Sequence, residues 1–371
     1  MTLSRTATET VALVDCYCRA YEHLFVDVRS FEHFKLLHFG LIAVSPRKTL
    51  PAIARVLGTE DAQALHHFVA NSPWDARILR QQRLNLVRQT LRQRPFLLCI
   101  DETGDRKKGR TTDYAARQYI TNLGRVENGI VSVNACGVLD GAVFPLTFKV
   151  FKPEHKLKSS DQYKSKSQLA VQIIEELMGQ EFCFEMVLAD CLYGESRQFI
   201  EALEGWGFKY AVMLRGSQGV WMPQGRNIRL TRWRQFNCVF DADEHQPYYI
   251  REALFGRRLT PRFCFVTTDP RLLPVETTRL IMTDLEGDLP GIVGHYYRLR
   301  ARIVQRFKRM KNGLGWADYR LTEYAAIERW WELVLSACWM VSQQSQAFAE
   351  SLAFWADGSE RSVLTEETPE P

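Results

Sequence analysis

No apolar run in this chain approaches the ~18 residues that a membrane span needs. The opening residues, Thr2, Ser4, Arg5 and Glu9 among them, lack the apolar core of a secretory signal. These absences predict a cytoplasmic protein with no membrane partner. Cysteine carries no pattern either. There are nine, an odd number, single or as Cys16 and Cys18, with no paired CxxC elements and no nearby histidine pair, which argues against a zinc finger. Cys99, Cys136 and Cys264 fall inside apolar runs, where reduced thiols behave as small hydrophobes. Charge of one sign is not in large surplus. Forty-eight Lys plus Arg against 43 Asp plus Glu leaves +5, so distribution matters more than the total for binding a polyanion. What is present is globular: 46% hydrophobic, 25% charged and 12% aromatic residues in 371 exclude wholesale disorder, collagen and coiled coil. The length suits one large domain or two ordinary ones.

Residues 1–94 read as all-helical, with apolar residues three and four apart, as in Phe31, Phe34, Leu37 and Leu41. Within them, Thr49 to Gly58 and Asp61 to Asn71 form two short helical patterns around a turn. This outline fits a helix-turn-helix that reads DNA, and equally two packed helices of an ordinary bundle. Arg77, Arg80, Arg83, Arg88, Arg92 and Arg94 follow, as a solvated helix face or as phosphate contacts. At Pro95 the grammar changes. Phe96 to Ile100, Ile130 to Val138 and Ala142 to Phe151 read as strands, the last two joined by a hairpin signal at Leu139, Asp140 and Gly141. A helix over Ser167 to Met178, a strand Met186 to Ala189, a helix from Ser196 to Leu203 and a strand Tyr210 to Leu214 complete a βββαβαβ order over 95–214. Residues 215–292 carry strand-like pieces (Cys238 to Phe240, Tyr248 to Ile250, Phe263 to Thr267, Leu280 to Met282) and read as a β-rich insertion. Helical period returns over 293–356, expected to complete the core, and the acidic stretch 357–371 is expected to be disordered.

Two acids stand directly after apolar strands of that α/β order: Asp101 after FLLCI and Asp190 after MVLA. Strand ends of an α/β sheet line the functional crevice, so carboxylates from separate segments can meet there. An Asp in such a place also serves as a turn former or helix cap. Context favours a site. Asp101 opens DETGDRKKG, whose Lys107, Lys108 and Arg110 suit phosphate, and Asp190 opens DCLYGES. Paired hard oxygen ligands suit Mg²⁺, with Mn²⁺ as an alternative, and such ions support chemistry at a phosphodiester.

From Arg298 to Lys311, RLRARIVQRFKRMK, seven of 14 residues are basic and none is acidic. Tyr297, Arg300 and Lys311 share roughly one helix face, with residue 304 on it too. With these residues the sequence resembles the insertion-sequence transposases of the DDE class, whose last catalytic helix carries Tyr, two residues, Arg, three residues, Glu, six residues, Lys. Three of the four are matched. IDETGDRKKG, ARQYI, GIVSVNACGV, FPLTFKVFKP, VLADCLYGES, LGWADYR and IERWWE extend the resemblance over nearly the whole chain. It implies a ribonuclease-H-like core interrupted by a β insertion, a helical end-binding region, and Mg²⁺-dependent transfer of DNA. Asp101 and Asp190 become the expected catalytic and metal-binding residues, and Tyr297, Arg300, Arg302, Lys308 and Lys311 the expected DNA contacts. The implied partners are double-stranded DNA at terminal inverted repeats, target DNA and a second copy in a homodimer, with a nucleoid-associated location.

One position departs from the signature. Where Glu is required stands Val304, which cannot ligate a metal, and Ile303 and Gln305 are not acidic either. The acids downstream that stand nearest are Asp318, Glu323 and Glu328. Three functions follow: a transposase, active or catalytically defective; a non-catalytic DNA-binding protein derived from one; and a host nuclease on the same core.

Other residues weigh less. His66 and His67 are adjacent on a helix and face apart, so they share no metal. Trp330, Trp331, Trp339 and Trp355 recur on an apolar helix and are assigned to the core. Arg226, Arg229, Arg232 and Arg234 interleave with Trp221 and Trp233, as a grip on DNA or as a solvated strand edge.

Overall fold

The computed structural model describes residues 5–59, 62–109, 111–120, 123–215, 228–237, 247–255 and 261–348. Helices α1 (Ala12–Arg19), α2 (Val28–Ile42), α3 (Leu50–Val56), α4 (Ala62–Ala70) and α5 (Ala76–Leu91) come first. Strands β1 (Phe96–Arg106), β2 (Ala116–Ile120), β3 (Arg125–Leu139) and β4 (Ala142–Phe151) follow. Then come α6 (Lys166–Gly179), β5 (Phe184–Ala189), α7 (Cys191–Gly194), α8 (Arg197–Gly205) and β6 (Lys209–Leu214). The order continues with β7 (Ile228–Leu230), β8 (Arg234–Asn237), β9 (Pro247–Phe255), β10 (Arg262–Thr267) and β11 (Arg279–Thr283). It closes with α9 (Leu289–Gly313) and α10 (Tyr324–Ser342). The chain divides into two compact units. One comprises residues 1–94, 139–146 and 310–371, the other 95–138 and 147–309.

The first unit is helical. Three of its helices, α2, α3 and α5, start where short polar side chains cap free backbone amides: Asp27 accepts from Ser30 N, Thr49 from Ala52 N and Asp75 from Arg77 N. α10 packs on α2, α4 and α5. Trp330, Trp331 and Trp339 are fully buried there, as packing residues. The sequence expectation placed α10 in the completion of the core. It lies with the N-terminal helices instead, because its apolar surface runs all round and is buried among them. α3 and α4 pack on each other and on α2, a bundle arrangement. The arginine stripe of α5 is not a solvated face throughout. Arg83 is fully buried, donating to Glu332 at 2.9 Å and to the Leu146 carbonyl at 2.7 Å, while Arg80 pairs with Glu332 and, at 2.8 Å, with Glu328.

In the second unit the sheet runs β2-β3-β1-β5-β6-β11-β10-β9-β7, with β4 on β3 and β8 on β9. β1 is antiparallel to β3 and parallel to β5, and β5 is parallel to β6. Three antiparallel strands followed by two parallel ones around a central first strand form the ribonuclease-H-like core. The β3–β4 hairpin turns through Asp140 (φ +49°) and Gly141 (φ +79°), the left-handed pair that a two-residue hairpin requires. α6 begins on a capping box of Ser165 and Gln168.

Three sequence expectations change here. β1 does not stop before Asp101 but continues to Arg106, because β3 supplies partners as far as Gly129. The DETGDR segment is therefore strand, not loop. ARQYI forms β2 on the outer edge of β3. The strands of 215–292 extend the same sheet, since β11 pairs antiparallel with β6. Cys238 to Phe240, Trp221, Arg226, Trp355 and the 357–371 stretch lie outside the described residues.

Candidate active site

The parallel registers fix where the two aspartates stand. Ile100 pairs with Ala189, and Ala189 with Val212, across β1, β5 and β6. One residue further along each strand, Asp101, Asp190 and Met213 form the next row. Side chains alternate between the faces of a sheet, so this row points opposite to Val212. Val212 faces α7: a Cβ on Gly194 would stand 3.1 Å from the Val212 side chain and 2.2 Å from the Met213 carbonyl oxygen. Only glycine lets α7 lie so close to β6. Met213 meets the other side, where Arg300 of α9 brings its Nη1 to 3.5 Å from the Met213 sulfur. Asp101, Asp190 and Arg300 therefore share one face of the sheet.

Asp190 is 9% exposed, and its Oδ1 accepts from Leu192 N at 3.0 Å, so it also caps α7. Burial pushes its carboxyl above the usual carboxylate range, while the Arg300 guanidinium, the Leu192 and Tyr193 amides and Lys166 pull it down. Behind the row, on the face that α6 and α7 cover, lie three residues that sequence reasoning did not single out. Lys166 Nζ is 2.6 Å from the Glu102 carboxylate, and both side chains are largely buried. Burial raises Glu102, Lys166 lowers it, and Asp190 raises it further. The Tyr193 hydroxyl is fully buried and has no hydrogen-bond partner among the described residues. Burial holds it well above its usual value, and the charges of Asp190, Glu102 and Asp101 push it the same way. The readable signal for Lys166 was its place at the first turn of a helix opened by a capping box. Tyr193 lay in plain view in DCLYGES without a feature to mark it.

Val304 stands one turn beyond Arg300 on the flank of the same α9 face, half-buried. The basic stripe divides. Arg306, Lys308 and Arg309 are exposed. Lys311 is 3% exposed, its ammonium 5.1 Å from the centre of the Trp316 ring. Lys311, an expected DNA contact, has a packed stem and an ammonium that lies against an aromatic face. Tyr297 and Arg302 belong to α9, and their side chains lie outside the described residues. The downstream acids have other work or none here. Glu328 pairs with Arg80, Asp318 accepts from the Lys48 amide at 2.7 Å, and Glu323 is exposed at the start of α10.

Among the described residues no three His, Cys, Asp or Glu side chains form a metal-binding group. The donor chemistry nonetheless fits a hard divalent cation held by two carboxylates, which is how Mg²⁺ commonly binds beside phosphate oxygens and waters.

The profile of a family described as DDE superfamily endonuclease matches residues 24–235, a span that contains both aspartates. The probable transposase for insertion sequence element IS701 of Microchaete diplosiphon is 45% identical over 329 residues, covering 88% of this chain and 87% of its own. The chain belongs to the DDE-class insertion-sequence transposases. Among solved structures, the NurA nuclease from Sulfolobus solfataricus aligns with this transposase over 78% of the chain and 97% of its own. Its 8% identity and TM-score of 0.24 carry no argument. No described helix of the transposase is long and apolar enough to cross a membrane.

Proposed function

We propose that this transposase binds double-stranded DNA at the terminal inverted repeats of its element as a nucleoid-associated homodimer in the cytoplasm. Its strand-cleavage and transfer centre is built on Asp101 and Asp190 and is catalytically defective for want of a carboxylate at Val304. The observation that carries the reading is the row of Asp101 and Asp190 on the face served by Arg300, with Val304 one turn further along α9. Asp101 and Asp190 would hold Mg²⁺, or Mn²⁺ in its place. The chemistry that such an ion would supply is activation of a water or hydroxyl and neutralisation of charge on the leaving oxygen. Arg300 supplies fixed positive charge on the same face, suited to the non-bridging oxygens of the scissile phosphate. The Leu192 amide, which donates to Asp190 Oδ1, fixes the direction of its carboxylate. At 304 an isopropyl group stands where the resemblance implies the last carboxylate, so only Asp101 and Asp190 would hold the ion.

The test is nicking of a labelled terminal repeat by the wild type, by Val304→Glu, and by Val304→Glu with Asp190→Ala. Val304→Glu should cut at least about tenfold faster than wild type, a barrier change of about 1.4 kcal/mol, and the added Asp190→Ala should abolish the gain. Equal rates for wild type and Val304→Glu would overturn the defect. The valine also favours a second reading, a DNA-binding protein derived from a transposase. That reading takes over if Val304→Glu binds the repeat and does not cut.

A further inference from the structure

The face of the sheet that carries Asp101 continues well beyond it. Asp101 lies opposite Asn134 on β3, and side chains alternate along a strand, so Ser132, Ile130, Asn128 and Val126 point the same way. β1 leaves β3 at the Arg106–Gly129 pair, and β3 runs on with β2, which sets Arg117 opposite Asn128 and Tyr119 opposite Val126. Arg117 and Tyr119 thereby join the face of Asp101. This ribbon of β2 and β3 is anchored from behind. Ile120 points the other way, into space that two glycines leave open: a Cβ on Gly104 or on Gly129 would collide with its side chain. Towards solvent, on the face of Asp101, the ribbon presents an apolar cross-strand pair, Tyr119 at 53% exposure and Val126 at 51%. Arg117 beside them is exposed and makes no hydrogen bond or ion pair among the described residues. The ribbon's acid, Glu127, lies on the reverse face, where Arg125 holds it at 3.0 Å and Arg106 at 3.5 Å. Asn128 spends its amide on the Lys107 and Gly109 carbonyls, at 2.7 and 3.0 Å, which ties the exposed Lys108 to the ribbon.

A free arginine beside exposed apolar side chains, on a ribbon face without an acid, suits the phosphates and sugars of a nucleic acid. Two apolar side chains fall far short of the roughly 800 Å² per partner that a stable dimer buries, which argues against a second copy as the occupant. We propose that this ribbon face is a second contact for the duplex held at the aspartates, in which Arg117 takes a phosphate and Tyr119 and Val126 pack against the adjoining deoxyribose. The inference rests on reading Asp101 and Asp190 as the cleavage centre, and the strand register then sets its distance. Along β3, Asn128 is six residues from Asn134 and Val126 is eight. A strand rises about 3.4 Å per residue, and a DNA strand about 3.4 Å per phosphate. Arg117 therefore meets the backbone about six nucleotides from the scissile bond, and the apolar pair meets it about eight away. The contact positions the duplex without reading it. Asn128 is occupied and Gln118 points to the reverse face, so the ribbon face offers no amide side chain to adenine.

The full-length chain is footprinted with hydroxyl radicals on a labelled duplex that carries the terminal repeat and its flanking DNA, and its binding is titrated against salt. The wild type should protect the backbone at the element's end and again about six to eight nucleotides from it. Arg117→Gln should lose the second protected patch, keep the first, and lower the slope of log K against log salt by about 0.9, the share of one phosphate. Arg117→Lys should restore the slope. Tyr119→Ala should weaken protection of the same patch and leave the slope alone, since it removes no charge. Variants that footprint as the wild type does overturn the proposal, as does a loss confined to one sequence, which would mean base reading. If Tyr119→Ala instead shifts the sedimentation of the DNA-free protein and spares the footprint, the pair joins two copies and the proposal falls. Protection at the element's end alone sinks this contact and leaves the proposed function standing, whereas no protection by the wild type sinks both.

Discussion

Lys166 and Glu102 form an ion pair of 2.6 Å behind the aspartate row, with the lysine from the first turn of a crossover helix and the glutamate from the central strand. The pair places one positive charge where three carboxylates, Asp101, Glu102 and Asp190, come within electrostatic reach of a single buried tyrosine. Without it, Glu102 would lose its buried lysine partner behind the row, while Arg300 serves Asp190 on the other face.

Replacing Lys166 with Met should therefore destabilise the chain by about 3 kcal/mol near neutral pH, the range for stranding a buried charge. The loss has a pH signature. Glu102 binds its proton more tightly folded than unfolded, so its penalty grows as pH rises from the ordinary value of 4.5 through the raised one. Removing Lys166 enlarges that penalty, and acid relieves it. Urea unfolding near pH 7.5 and about pH 5 should show a much smaller deficit at the lower pH. An equal deficit at both would mean that the lysine acts by packing alone.

His38 gives the opposite slope. It is fully buried, donating from Nδ1 to the Phe34 carbonyl at 2.9 Å, which leaves Nε2 to accept from the Ser336 hydroxyl at 2.8 Å. Burial lowers its pKa from 6.5 to about 4. The unfolded chain takes up the proton first, so stability is full above pH 6.5 and is lost as pH falls toward 4. The loss amounts to about 3 kcal/mol. His38→Gln should flatten this part of the pH profile in denaturant titrations. A wild-type profile level between neutrality and pH 4.5 would count against a neutral buried imidazole.

Lys311 and Lys308 should separate cleanly. Lys311→Ala removes a packed stem and a charge resting on Trp316, so it should lower stability by about 1 to 2 kcal/mol and leave the salt dependence of DNA binding alone. Lys308→Ala, on the exposed side of the same helix, should do the reverse and reduce the salt slope by about 0.9. A salt slope that falls on replacing Lys311 would restore it as a phosphate contact.

Asp101 and Asp190 were legible as neighbours because each follows an unbroken apolar run, and two such runs in this element order become adjacent parallel strands. Where β1 ends was not legible. Thr103, Gly104 and Asp105 look like a loop until β3 is known to lie alongside them. The company of α10 was hidden for a related reason: IERWWELVLSACWM declares burial on every side without saying against what. Arg117 and Tyr119 were invisible, since only the pairing of β1 and β2 with β3 puts them on the face of Asp101. The arginines of α5 misled because helical spacing cannot tell a wet face from one that meets a buried glutamate.

That glutamate sets the timetable of the molecule's birth. Glu332 lies 249 residues after Arg83, so a ribosome that has delivered α1 to α5 has delivered cations with no anion to bury beside, and a half-core still lacking Trp330, Trp331 and Trp339. Helices α1 to α5 must wait for α10 before their buried charge and core are complete. A chain cut short before α10 lacks the anion that neutralises Arg83 and the three tryptophans that fill the helical unit. Only a copy read through α10 carries both halves of the buried Arg83–Glu332 pair.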